Sequence, residues 1–141
     1  MNEVVRSVLL PLAPDAAFAL FTGRAADWWP PDRKHTDAAA AVFIESAGRF
    51  WERASDGREV ELGRVLAWEP PGRLVLDFYP GTDADHPTQV TVSFDAEAAG
   101  TRVTVVHRPT ATSIDLWEAR APLYEASWDL CLEGLARLAA A

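Results

Sequence analysis

The chain has 141 residues, enough for one domain with a sizeable core and too few for two. Hydrophobic residues at 49% and charged residues at 24% exclude a disordered chain, and no stretch approaches the roughly 20 apolar residues of a membrane span. The net charge of −8 argues against nucleic acid, whose phosphates need a basic surface, and against an anionic membrane.

Residues 3–10 alternate and are rich in Val and Leu, so they predict a first strand that ends at Pro11. Pro14 suits the first helical position and Asp15 the positive end of a helix dipole. Ala17, Phe18, Leu20 and Phe21 then form a short amphipathic helix that stops near Gly23. A second short helix spans 24–29 and breaks at Pro30-Pro31. From about residue 40 the period becomes two, with strands over 41–45, 49–54, 59–68, 73–79, 89–95 and 101–108. Ser55-Asp56-Gly57, Glu69-Pro70-Pro71-Gly72 and Ala99-Gly100 supply tight turns, and such short links make the sheet antiparallel.

The closing segment carries one apolar stripe: Trp117, Ala121, Tyr124, Trp128, Cys131, Leu135 and Leu138. Its alternating spacing of four and three places all seven on one face of a helix over 117–138. The expected architecture is therefore α+β: a curved antiparallel sheet of about seven strands around a long C-terminal helix, with two short helices after the first strand. One domain covers residues 1–141. Strand parity turns Val103, Val105 and His107 toward the helix, together with Val90, Val92, Phe94, Leu74, Leu76, Phe78, Leu66 and Trp68. Phe50 and Trp51 are adjacent and equally large, so parity leaves their faces open.

This order of elements resembles the helix-grip fold of the START, polyketide-cyclase and birch-pollen-allergen (SRPBCC) superfamily. Within it, the chain is similar to the branch named after the activator of heat-shock-protein-90 ATPase. Asp56-Gly57, Gly63-Arg64-Val65, Glu69-Pro70-Pro71-Gly72-Arg73-Leu74 and Asp77-Phe78 carry the likeness most sharply. Trp28-Trp29-Pro30, Val105-Val106-His107 and Ser127-Trp128 agree as well. Phe78 stands where that branch usually has Trp, Ala47-Gly48 where it has Gly-Gly, and Ser127 where it has Gly. The bulk of Ser127 is expected to push the helix slightly off the sheet. The resemblance also implies a chaperone partner, a role that in eukaryotic members uses a separate N-terminal domain.

The aromatic rings of the stripe have polar tips that each want a partner, which points to an apolar cavity between helix and sheet. Its expected lining is Trp28, Trp29, Trp68, Phe78, Val105, His107, Trp117, Tyr124 and Trp128. Trp28 and Trp29 are adjacent, so only one is expected to pack inward while the other reaches the cavity mouth or a subunit contact. His107 and Tyr124 are the candidate catalytic pair: an imidazole base beside a hydroxyl that polarises a carbonyl. The alternative for His107 is a hydrogen bond to a neighbour at the cavity rim. His35 and His86 fall in polar loops, and Asp83, Asp85 and His86 form only a weak metal motif. No phosphate loop, dinucleotide fingerprint or nucleophile elbow is present. Cys131 lies on the buried stripe as a small hydrophobe, and a single cysteine agrees with a reducing compartment.

These features predict a protein that binds a small apolar or aromatic ligand, with no cofactor and no metal, as a monomer or homodimer. A cyclase- or dehydratase-type enzyme and a chaperone-associated module are the alternatives. An acidic rather than basic start predicts a cytoplasmic location. Twelve arginines against a single lysine, Lys34, fit a GC-rich bacterial genome.

Overall fold

The computed structural model describes residues 2–141; Met1, the first residue of the expected domain, lies outside them. Strand β1 (Val4–Leu10) leads into helix α1 (Pro14–Gly23) and the single turn α2 (Ala25–Trp28), followed by a 3₁₀ turn at Pro31–Arg33. Six strands follow: β2 (Ala41–Ile44), β3 (Arg49–Arg53), β4 (Glu59–Glu69), β5 (Arg73–Phe78), β6 (Thr88–Glu97) and β7 (Gly100–Pro109). A second 3₁₀ turn at Ile114–Leu116 opens helix α3 (Trp117–Ala140). The seven strands form one antiparallel sheet in the order β1-β7-β6-β5-β4-β3-β2. No helix among the described residues is long and apolar enough to cross a membrane.

Helix α3 buries the expected stripe from Trp117 to Leu135, and Leu138 is half-buried at its end. Pro122 lies inside this helix, where it removes one backbone donor, and it is exposed. Two features pin α3 in place. Arg6 of β1 reaches Glu125 at 2.6 Å and Asp129 at 2.9 Å. Gly134 lets α2 approach closely, because a Cβ there would stand 2.7 Å from the carbonyl oxygen of Trp28.

Parity holds along β5, β6 and β7, whose inward residues are all buried. It fails in β4, where the register shifts between Val65 and Ala67. Leu66 is the extra residue of this bulge and is 51% exposed, contrary to the inward position expected for it. Val65 takes the inner face in its place, Trp68 lies inward as expected, and both pack half-buried against the core. Phe50 points into the core. Trp51 lies on the opposite face, stacked on Phe43 at 4.6 Å with the Arg49 guanidinium 4.3 Å above its ring.

Candidate functional site

The inner end of β7 places His107 under α3, where it is fully buried. Indole is a donor only, so the 3.0 Å contact from Trp128 Nε1 makes His107 Nδ1 the acceptor. The imidazole proton then sits on Nε2 and is donated to Thr88 Oγ1 at 2.7 Å. The Thr88 hydroxyl in turn donates to the carbonyl of Phe78 at 2.8 Å. Both ring nitrogens are used, and rings surround the imidazole: Tyr124 at 4.1 Å, Phe78 at 4.9 Å and Trp117 at 5.4 Å. Burial without a counter-charge pushes the His107 pKa down to about 3, so the ring is neutral at physiological pH.

Tyr124 touches His107 with its ring, yet its hydroxyl is directed elsewhere. It donates to the carbonyl of Pro80 at 2.7 Å, in the loop between β5 and β6. Gly81 makes this possible: its φ is +84°, and a Cβ would stand 2.7 Å from the Tyr124 oxygen. Burial holds the Tyr124 phenol above its ordinary pKa. The two polar tips therefore do not converge on one point in a cavity.

An apolar cleft of about 150 Å³ opens beside this network. Its aromatic walls are Trp29, Phe78, Tyr124 and Trp128, with Cys131 and Leu123 between them, Pro80 and Gly81 on one side, and Arg33 and Ser127 at the rim. Phe78 stands 6.2 Å from Trp29, 6.2 Å from Tyr124 and 5.9 Å from Trp128, measured between ring centroids. Burial pushes the Cys131 thiol up to about 12, so it stays protonated as a small apolar wall.

Of the lining expected from the sequence, the cleft gathers Trp29, Phe78, Tyr124 and Trp128. It does not include Trp28, Trp68, Val105, His107 or Trp117. Trp28 is packed on Phe21 at 4.6 Å and donates to its carbonyl at 3.0 Å. Val105, His107 and Trp117 are buried in the core, with Trp117 set edge-on to the imidazole. Trp68 lies against Phe18 at 5.2 Å, in a separate groove with Pro70 and Pro71.

Trp28 and Trp29 both enter the same core, contrary to the expectation that only one could, while Trp29 also borders the cleft, as expected of one of the two. Helix α2 ends at Trp28, and Trp29 is extended (φ −69°, ψ 126°), so the two side chains are no longer held at the helical angle. Trp29 then donates its indole N–H to the carbonyl of Arg33 at 3.3 Å. Ser127 faces the rim, where its hydroxyl accepts from Arg33 at 3.0 Å.

Two contributors were not singled out by the sequence pattern. Arg33 sits in a 3₁₀ turn without periodicity to flag it. Glu52 is fully buried at the end of β3, and its carboxylate accepts from the backbone N–H of His35 at 2.9 Å and from the N–H and hydroxyl of Thr36, each at 2.5 Å. It ties down the segment that follows Arg33. Glu52 shares the face of Phe50, but parity left that face open, so the sequence carried no signal for a buried glutamate there.

His35 and His86 are both exposed in loops. His86 Nδ1 meets Asp83 at 2.7 Å, and this contact lowers the Asp83 pKa. Among the described residues, no group of three or more His, Cys, Asp or Glu side chains is placed to hold a metal ion.

Residues 11–140 match the family described as Activator of Hsp90 ATPase homolog 1-like protein. Comparison with curated proteins finds no match. Among solved structures, a protein from Rhodobacter sphaeroides is similar with a TM-score of 0.71 and 19% identity over 99% of this chain and 93% of that one. A protein from Arthrobacter aurescens gives 0.70 and 14% identity, over 99% and 86%. The AHSA1-like protein from Aeromonas hydrophila gives 0.62 and 20% identity, over 96% and 90%. At these identities the likeness establishes the fold.

Proposed function

We propose that this chain, which belongs to the family of Activator of Hsp90 ATPase homolog 1-like proteins, binds a small aromatic or apolar ligand in the cleft between α3 and the Pro80–Gly81 loop. One observation carries the reading: four aromatic side chains present ring surface to an open space whose volume is close to that which holds a single benzene ring. Trp29, Phe78, Tyr124 and Trp128 are the proposed contacts, and the ligand is of one-ring size. The enzyme alternative has less support, because a general base needs a free nitrogen and a pKa near the working pH. His107 has both nitrogens bonded and a pKa of about 3. A cytoplasmic protein acting as a monomer or homodimer completes the proposal.

The test is a titration with 2-phenylethanol, followed in ¹H–¹⁵N spectra. Saturable shifts at Gly81, Ser127 and the indoles of Trp29 and Trp128 are expected, with Kd on the order of a millimolar. Ser127→Phe, which fills the cleft from α3, should abolish them while the remaining spectrum stays folded. Absence of saturation in the wild type, or unchanged shifts in the folded variant, would overturn the reading.

A further inference from the structure

We infer that the ligand of this cleft is an acid, a one-ring or short-chain carboxylate whose anionic head is held at the rim by Arg33. The inference rests on the binding reading above and adds the chemical class of the ligand. Its first support is the pairing of charge. In a chain of net charge −8, the arginines without an ion pair among the described residues are Arg33, Arg53 and Arg120. Arg53 lies over the Phe43 ring at 5.0 Å on the outer face of the sheet, and Arg120 is exposed on α3. Of the three, Arg33 borders the aromatic cleft.

The second support is that Arg33 is held in place. Its carbonyl receives the Trp29 indole, and one guanidinium nitrogen donates to Ser127 across the rim. A guanidinium has five N–H donors arranged to match a planar carboxylate, and among the described residues no carboxylate engages those of Arg33, whose side chain bonds Ser127. The third is the neighbouring groove. Arg33, Trp29, Pro80 and Gly81 also border a polar hollow that adds Lys34 and His35. Lys34 is engaged by the carbonyls of Ala38 and Ala40, and among the described residues it has no ion pair. Two carboxylates, Asp32 and Glu52, border the same hollow, and Glu52 is turned to the N–H groups of His35 and Thr36 rather than to Arg33. The Arg33 charge also reaches the cleft floor, where it counteracts part of the effect of burial on Cys131.

An aromatic wall with a cation at its lip suits a ligand that is apolar at one end and anionic at the other. Phenylacetate and 2-phenylethanol separate the two halves, because both carry one phenyl ring on a two-carbon chain and they differ in charge. Each is titrated into the wild type, Arg33→Gln and Arg120→Gln at low and high salt, with the amides of Gly81 and Ser127 as reporters. Phenylacetate is expected to bind the wild type about fivefold more tightly, a preference suited to a solvent-screened charge contact. Arg33→Gln should remove the preference, Arg120→Gln should keep it, and high salt should reduce it in the wild type. Equal binding of the two probes, or a preference that survives in Arg33→Gln, overturns the inference and leaves the binding reading standing. Saturable binding of neither probe overturns both.

Discussion

Replacing His107 by Gln should remove an acid sensitivity built into the core. In the folded protein the imidazole has a pKa of about 3, against 6.5 for the same group in solvent. Above pH 6.5 neither state binds the proton, and the contribution to stability is fully present. As the pH falls below 6.5 the unfolded chain takes up a proton that the folded chain refuses. Stability is then lost at up to about 1.4 kcal/mol per pH unit, until the folded imidazole also protonates near pH 3. At pH 5 the loss is about 2 kcal/mol, or a melting temperature about 7 °C lower in a chain of this length. Gln can accept from Trp128 and donate to Thr88 but cannot titrate. Urea denaturation of wild type and His107→Gln at pH 7.5, 6 and 5 measures the difference. The carboxylates held low by hydrogen bonds, Asp37, Asp56 and Asp83, are common to both proteins, as is Asp77, raised by burial, so they cancel. Parallel loss of stability in the two proteins between pH 7.5 and 5 would refute the reasoning. So would a His107 ring resonance that titrates near 6.5 in the folded state.

Trp128→Ala should destabilise the fold by roughly 3–5 kcal/mol, since it opens the core and leaves His107 Nδ1 without a donor; a melting temperature near that of the wild type would contradict this. Glu52→Gln should cost about 1–3 kcal/mol and accelerate amide exchange at His35 and Thr36, because it puts a donor where three donors converge; unchanged exchange there would contradict it. Cys131 should resist alkylation by iodoacetamide at pH 8 until the protein unfolds, as its thiol has a pKa of about 12 and is buried; rapid labelling of the native protein, read by mass spectrometry, would contradict the burial.

The order of elements was legible because strands of period two and a helix stripe of four and three repeat over many residues. The places where the expectation failed are those where one residue breaks the period. Leu66 is displaced by a bulge, and Trp29 escapes the helical angle because α2 is a single turn long. Phe50 and Trp51 could not be separated by size. Their faces are decided by what each meets: Phe78 and Trp29 for one, Phe43 and Arg49 for the other. In the site, His107 and the aromatic rings of α3 were legible as residues, but their partners were not. Thr88 and Trp128 lie 19 and 21 positions from His107, and no local pattern records which hydroxyl or indole will meet an imidazole across the sheet.

Those partners also change the meaning of the aromatic stripe. Polar tips on wide rings that each want a partner pointed to a cavity, and the partners they find belong to the protein itself. Trp28 donates to the carbonyl of Phe21, Trp29 to that of Arg33, Trp128 to His107 and Tyr124 to the carbonyl of Pro80. The rings of Trp29, Trp128 and Tyr124 are anchored by their polar ends and offer the cleft mainly their apolar surface. A ligand held there gains from buried ring area and shape, which distinguish size but discriminate poorly among functional groups. Polar discrimination then falls to the rim, where Ser127 and Arg33 meet. Removing Arg33 should therefore abolish the preference for the charged probe while the affinity for a neutral ring is kept. Filling the cleft through Ser127 should abolish binding of both.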